Sequence, residues 1–374
     1  MSMSTALQVS QALKATGQPT YLYGAGRFAK ITIFGATGFL GRYVASRLGQ
    51  LKARTNMPNR GCEMEIRHLK PMFSLGDAHF PFYSIRDETS VRQAIGESDI
   101  VINLVGKYYE TKHIMKTRRA DGTKSRINYG FAEIHEEWPA HLAKLSTEMG
   151  VRQLIHVSGM AADEHSDSSW ARTKARGEEF VRREFPDATI VRPAPMFGDE
   201  DRFLNWLADF GSRYFFLPLA DGGEHLLQPV WVQDVAEAIV ACVDNDWQDD
   251  RLRVEGKTLE LAGPHEYTWR ELSTFVNDIT GLEPRVVGVP HEPLEKIGAF
   301  WERLPVLNPR GPHFCMEDAK RQHMDVVMPD LTGRADALTF EHFDIKPTRI
   351  EDVAFSYLYR YRKGGHFART RGYH

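Results

Sequence analysis

The chain has 374 residues, 42% of them hydrophobic and 26% charged, with a formal net charge of −3. This is ordinary globular composition, long enough for a large core, and the near-neutral balance excludes nucleic-acid binding by bulk electrostatics. Three separated cysteines, Cys62, Cys242 and Cys315, exclude a disulfide framework and a cysteine zinc site, and point to a reducing compartment.

Charge is unevenly spread. No acid precedes Glu63, and none follows Asp352, where Arg360, Arg362, Lys363, Arg369 and Arg371 make the tail basic. Such an end suits an acidic partner or anionic lipid. No apolar run approaches the ~18 residues of a membrane span. Residues 1–28 form an N-terminal arm. Its acid-free start, with Lys14 as the one basic residue of 1–19, reads either as a poor mitochondrial presequence or as a disordered or partner-bound arm.

The first strong signal is Ile31-Thr-Ile-Phe-Gly35-Ala-Thr-Gly38-Phe-Leu-Gly41. A buried β-branched strand runs into a glycine turn, and Tyr43–Leu48 continues as helix. Strand, turn and helix together make a dinucleotide-binding entry. Gly35 permits the tight turn, Gly38 a close approach to pyrophosphate, and Gly41 helix-on-strand packing. The helix N-terminus offers free N–H groups and a positive dipole end. The spacing G-x-x-G-x-x-G is typical of the short-chain dehydrogenase/reductase superfamily in its extended and atypical branches. Ala36, Thr37, Phe39 and Leu40 fall inside this turn and join the cofactor set.

The second strand is placed near Arg54–Pro58. No acid stands at its end, where an NAD-selecting enzyme binds the ribose 2′-hydroxyl. Arg60, with Arg42 and Arg54 nearby in sequence, suits the 2′-phosphate of NADP instead, because its guanidinium can fork onto phosphate. Phe80–Asp87 reads as strand three and its exit. Asp87 fits either an adenine-side acid or the cap of a helix starting at Glu88. Asp99–Gly106 is a buried strand whose loop, Leu104, Val105 and Gly106, passes beneath the nicotinamide-proximal ribose. Lys107–Tyr129 is a basic insertion, either a docking site or a solvated loop. Phe131–Met149 is helical. His135, Glu136 and His141 do not form His-Glu-x-x-His, so no metal site is assigned. Gln153–Ser158 is the next strand, Trp170–Glu184 a helix, and Thr189–Pro193 strand six, whose Arg192 and Pro193 join the cofactor set. Gln228–Val240 and Thr258–Gly263 return to the core. Thr268 can cap the helix that follows. Arg285–Val289 and Glu292–Leu304 continue the alternation, and the last stretch is proline-punctuated and less regular.

Enzymes of this superfamily use Tyr-x-x-x-Lys on one helix with a Ser or Thr from the preceding strand. Positions i and i+4 share a helix face, so the lysine cation lowers the phenol pKa and holds the ribose. Here Ser158 and Lys174 are present, but Trp170 stands at the tyrosine position. An indole N–H is donor-only and does not titrate in the useful range, so it cannot serve as the acid/base. Lys174 can still hold ribose without chemistry. No catalytic residue is assigned. The remaining route to a phenol is Tyr108, Tyr109 or Tyr129.

Several stretches together resemble a family: Phe34–Val44, Pro58-x-Arg60, His68-Leu-Lys-Pro-Met72, Val101–Gly106, Glu110-Thr-Lys112, Phe197-Gly-Asp-Glu-Asp-Arg-Phe-Leu204, and Gln228-Pro-Val-Trp-Val with Asp234. The chain is similar to the short-chain-dehydrogenase-like, NADPH-binding accessory subunits of mitochondrial respiratory complex I, closely over about residues 30–265 and loosely beyond. The resemblance implies a tightly held NADPH that respiration does not turn over. It implies a peripheral place on the matrix side of the inner membrane, other complex I subunits as partners, Arg60 on the 2′-phosphate, Gly35 to Gly41 on the pyrophosphate, and Lys174 on ribose. The chain departs from the family in the basic stretch after Lys112 and at Trp170.

The expected fold is α/β: a Rossmann-type doubly wound parallel sheet over 29–198, carrying the insertion 107–130. A smaller mixed lobe covers 199–350, with 228–246 and 257–263 returning to the core, and 351–374 is a basic tail. The expected function is a non-catalytic NADPH-binding subunit. The alternatives are an active NADP-dependent reductase or epimerase, and a free NADP(H)-sensing regulator.

Overall fold

The computed structural model describes residues 29–61, 63–110, 116–118, 124–126, 129–214, 216–243, 253–282, 284–302, 314–332, 334 and 336–362. The N-terminal arm 1–28, Cys62, the side chains of the insertion at 111–128 and the end of the basic tail at 363–374 lie outside the described residues.

Eight strands form the central sheet: β1 (Lys30–Phe34), β2 (Arg54–Asn56), β3 (Ala78–His79), β4 (Ile100–Asn103), β5 (Gln153–Val157), β6 (Thr189–Pro193), β7 (Thr258–Leu261) and β8 (Ala337–Leu338). All neighbours are parallel, in the order 3-2-1-4-5-6-7-8. This is the doubly wound arrangement, with its switch point between β1 and β4. An all-parallel sheet is covered on both faces, so its strands are apolar throughout. Alternation then sorts residues by face. Ile31 and Ile33 join one core with Ile100 and Ile102, while Phe34 and Val101 join the other.

The helices are α1 (Phe39–Gln50), α2 (Glu88–Ile95), α3 (Trp138–Glu148), α4 (Ser169–Glu184), α5 (Leu204–Arg213), α6 (Val232–Val243), α7 (Trp269–Thr280), α8 (His291–Glu302), α9 (Met316–Gln322) and α10 (Ile350–Leu358). In α1, Leu40, Val44 and Leu48 recur every four residues and bury one stripe in the first core, together with α6. Helices α2, α3 and α4 contribute Val91, Leu142 and Val181 to the second core. The smaller lobe has its own core, built from Leu204 and Leu207 of α5, Leu272 and Val276 of α7, and Tyr357 and Leu358 of α10. Thr268 caps α7 in a reciprocal box with Glu271, as its position before an apolar run foretells.

Three elements differ from expectation. The third strand is Ala78–His79, ahead of Phe80–Asp87, because Pro81 has no N–H to donate to β2. Pro81 only accepts, from the Asn59 N–H at 2.9 Å. Phe131–Met149 is not one α-helix: Glu133–Glu137 is a π turn ahead of α3. Pro139 lacks the N–H that would bond the His135 carbonyl, so the i→i−4 ladder breaks there. The proline-rich C-terminal region supplies β8, an eighth sheet strand too short to show a period.

Candidate functional site

The glycine turn joins β1 to α1 at the switch point. Gly35 has φ +90°, a conformation that L side chains avoid, and a Cβ there would stand 3.0 Å from the Leu104 carbonyl. A Cβ on Gly41 would stand 2.3 Å from the Gly35 oxygen and 2.7 Å from the Ala36 Cα, so α1 packs directly on the turn. Gly38 is the N-cap of α1. No side chain caps this end, and no acid sits in the first turn. Its partial positive charge is therefore not cancelled locally. Arg42 folds back over the turn, with Nε 3.4 Å from the Thr37 oxygen and a guanidinium nitrogen 3.4 Å from Glu200. Tyr43 donates its hydroxyl to the same carboxylate at 2.9 Å. Arg42 is thus tied to the smaller lobe through Glu200.

Past β2, Arg60 is exposed, with its guanidinium 5.4 Å from the Tyr129 ring centroid. Arg86 lies 4.7 Å from that ring and is held by Glu133 at 2.5 and 2.9 Å. Among the described residues no carboxylate pairs with Arg60. Lys107 donates to the Tyr129 carbonyl at 2.8 Å, and burial plus the charge of Arg60 hold its pKa below the usual lysine range. A cationic corner therefore follows β2 and β4, as an anionic ligand requires. Asp87 is the N-cap residue of α2, but its carboxylate makes no capping bond, and the Ser90 hydroxyl donates to the Asp87 carbonyl at 2.8 Å instead.

The loop after β4 begins with Leu104, whose N–H donates to the Phe34 carbonyl at 2.9 Å. Val105 N–H donates to Asn103 Oδ1 at 3.2 Å, and Trp138 Nε1–H reaches the same oxygen at 3.2 Å. A Cβ on Gly106 would lie 3.6 Å from Lys174 Nζ, so the loop runs beside the lysine. Lys174 is 6% exposed. Its ammonium donates to the Val157 carbonyl at 3.1 Å, and burial pulls its pKa to about 8 against the opposing charge of Glu178. Two buried histidines adjoin this loop, and only the failed zinc spacing at His135 touches on either in the sequence. His135 Nε2 accepts from the Lys107 N–H at 3.1 Å, and its Nδ1 lies 3.0 Å from the Thr173 hydroxyl. His156 lies two residues before Ser158, on the same side of β5. Its Nδ1 is 3.0 Å from Asn103 Nδ2, and its buried Nε2 has no partner. Burial and the Lys174 charge push His156 to about 3 and hold His135 well below the ordinary imidazole value, so both rings are neutral.

Ser158 Oγ is buried and unpartnered. The Trp170 indole fills the space beside it: a Cβ on the next residue, Gly159, would stand 2.9 Å from Trp170 Cη2. Ser168 caps α4 by accepting from the Ala171 N–H at 3.3 Å, and donates its own hydroxyl to Glu317 of α9 at 2.6 Å. Arg321 of α9 lies 5.6 Å from the Trp170 ring and 5.2 Å from Tyr108.

Ser158, Trp170 and Arg321 open onto a cavity of about 820 Å³ between the sheet and the smaller lobe. Phe39, Arg42, Ser158, Trp170 and Pro193 line it, together with Tyr108 and Tyr109. Asp201, from the Phe197–Leu204 stretch, shapes the rim. Its carboxylate accepts from the N–H groups of Gly198, Phe203 and Asn205 at 2.8–3.0 Å and from the Tyr357 hydroxyl at 3.1 Å. That stretch is therefore a folded loop staple. Of the remaining candidates, Arg192 is engaged elsewhere. Its guanidinium bonds Glu178 at 2.6–3.0 Å and Glu260 at 3.1 Å, among buried carboxylates beside α4. The sequence set thus divides into the glycine turn, the β4 loop with Lys174 and Ser158, the corner of Arg60, and Arg192 apart from all three.

The RmlD substrate binding domain family model matches residues 29–296. The chain is similar to "NADH dehydrogenase [ubiquinone] 1 alpha subcomplex subunit 9, mitochondrial" of Arabidopsis thaliana, at 35% identity over 339 residues, covering 89% of this chain and 78% of that one. It is also similar to the "NADH-ubiquinone oxidoreductase 40 kDa subunit, mitochondrial" of Neurospora crassa, at 33% identity over 359 residues, 94% of this chain and 86% of that one. Among solved structures, the Citrobacter sp. triphenylmethane reductase complexed with NADP(H) superposes with a TM-score of 0.61 at 15% identity, covering 87% of this chain and 99% of that one. That likeness is one of fold.

Proposed function

The chain belongs to the family of subunit 9 of the mitochondrial NADH dehydrogenase (ubiquinone) alpha subcomplex, and from that premise we propose that it is a complex I accessory subunit that holds NADP(H) as part of its own structure. The observation that carries this reading is the pairing of an intact glycine turn with Trp170 packed on Gly159 where a phenol would work. Gly35 to Gly41 and the uncapped α1 terminus take the pyrophosphate, Arg60 the 2′-phosphate, and Lys174 the nicotinamide ribose. Ser158 Oγ, buried without a partner, is a hydrogen-bonding group that ligand can satisfy. Arg192 is left out of the contact set. A bound nicotinamide supplies hydride chemistry. Around it His135 and His156 are neutral and buried, and the Trp170 indole has no group that titrates near neutral pH.

A ligand that binds only the folded state stabilises it, by about 4 kcal/mol at 1,000 times its Kd. The nucleotide therefore supports the cavity walls and whatever other subunits rest on them. This reading puts the chain on the matrix side of the inner membrane, where the basic tail can meet anionic lipid. Among the described residues no helix is long and apolar enough to cross a membrane. The test is Arg60→Ala. Loss of a charged hydrogen bond of about 1.5–3 kcal/mol lowers NADPH affinity about 10–100-fold and leaves NADH affinity unchanged. Nucleotide occupancy and incorporation into complex I both fall. If neither changes, the reading is wrong.

A second reading is favoured by Tyr108 and Tyr109, which line the same cavity as Ser158. Either phenol could serve an active reductase. Oxidation of bound NADPH by the native protein on adding a carbonyl or quinone substrate, abolished by phenylalanine at one of these positions, selects it.

A further inference from the structure

We propose that the smaller lobe carries a site for a Zn²⁺-class divalent ion, with Asp221, His225 and His323 as its ligands. The three come from separate places: Asp221 from the turn after the strand Phe216–Ala220, His225 from the loop before Leu226, and His323 from the end of α9. Their ligand atoms lie within 4.8 Å of one another. His225 Nε2 is 3.1 Å from His323 Nδ1, which is 2.7 Å from Asp221 Oδ2. Tetrahedral zinc with ligands at about 2.0–2.1 Å sets neighbouring ligand atoms about 3.3 Å apart. Admitting the ion therefore widens both of these separations, the shorter by about 0.6 Å, and draws Asp221 towards His225 from a separation of up to 4.8 Å.

The surrounding groups match what metal sites use. His225 Nδ1 faces Asp325 Oδ1 at 3.1 Å, and the Leu226 N–H holds that same oxygen at 2.8 Å. This is a carboxylate–imidazole pair that fixes the tautomer and leaves the Nε2 lone pair inward. Asp221 has φ +48°, a strained conformation for a residue with a side chain, followed by two glycines of positive φ. His291, at the start of α8, stacks on His323 at 4.3 Å, and its Nδ1 is 3.9 Å from Asp221 Oδ2, within reach of the fourth position. The nearby cation Arg270 is committed to the Gly222 carbonyl at 3.1 Å and to Glu224 at 3.7 Å. The ligands are partly exposed, so an ion can enter from solvent. Loading requires only that the His323 proton sit on Nε2.

The ion would clamp α9 to the lobe. That helix carries Glu317 and Arg321, which brace Ser168 and Trp170 at the cavity wall. Neither Asp-x-x-x-His nor a histidine 98 positions later is a metal spacing, so only the fold brings the set together.

The test uses the full chain, stripped with chelator and titrated with Zn²⁺ by calorimetry and with Co²⁺ by visible absorption. One equivalent binds tightly, Co²⁺ shows the intense bands of a four-coordinate site, and Zn²⁺ raises Tm. The double variant His225→Ala/His323→Ala keeps the metal-free Tm and loses all three signals. Asp325→Asn weakens binding about 10–100-fold. Absence of stoichiometric binding overturns the proposal, as does binding that persists in the double variant. The readout is the metal alone and is independent of nucleotide.

Discussion

The glycine-turn end of the groove and its reaction end are built from different materials. At the turn, the defining contacts are backbone: Gly35 against the Leu104 carbonyl, and Gly41 against the Gly35 oxygen. At the other end they are side chains: Lys174, Ser158, His135, His156 and Trp170. Backbone shape depends on many residues together and survives substitution elsewhere. A side-chain proton relay is lost with one residue. On the proposed reading, binding therefore outlasts chemistry in one groove, and the two ends respond differently to mutation.

The largest effect is expected outside both ends. Arg192→Ala strands Glu178 and Glu260, whose side chains are 7% and 2% exposed. Breaking such a buried network costs about 3–5 kcal/mol, read by denaturant unfolding. A loss of nucleotide affinity with unchanged stability would return Arg192 to the cofactor set. Lys174 comes next. Its pKa is near 8 when folded and 10.5 when free. Below pH 8 both states are protonated, and burial of the charge is a constant cost. Between pH 8 and 10.5 the unfolded chain holds the extra proton, so stability rises with pH. The nucleotide-free protein should gain about 3 kcal/mol relative to Lys174→Met across that window, and parallel pH profiles would show that the lysine is not desolvated. Gly41→Ala should cost about 1–3 kcal/mol through overpacking and displace the nucleotide with it. Trp170→Phe should cost less than about 1.5 kcal/mol and leave nucleotide occupancy intact. A Trp170→Phe variant that loses nucleotide while Gly41→Ala keeps it would reverse the comparison.

The sequence made the local parts legible. The strand, glycine turn and helix at 31–48 announce their geometry within eighteen positions, and β5, α4 and β6 follow from apolar runs and caps. Trp170 could be read at once, because a helix fixes what stands four residues before Lys174. Long-range pairings could not be read. Arg192 looks like a cofactor residue until Glu178 and Glu260 are placed around it. His156 has no signal of its own, since a lone histidine in an apolar strand shows neither its Asn103 partner nor its empty Nε2. The π turn follows from Pro139, a visible breaker whose consequence depends on the surrounding packing.

The proposed role depends on a nucleotide held without turnover. The direct measurement is the reduced-nicotinamide absorbance of the native protein before and after carbonyl, quinone or nucleotide-sugar substrates are added. About one equivalent of NADP(H) should co-purify, with an absorbance that persists through every addition. Decay of that absorbance with a matching yield of reduced product would mark the protein as an active reductase instead.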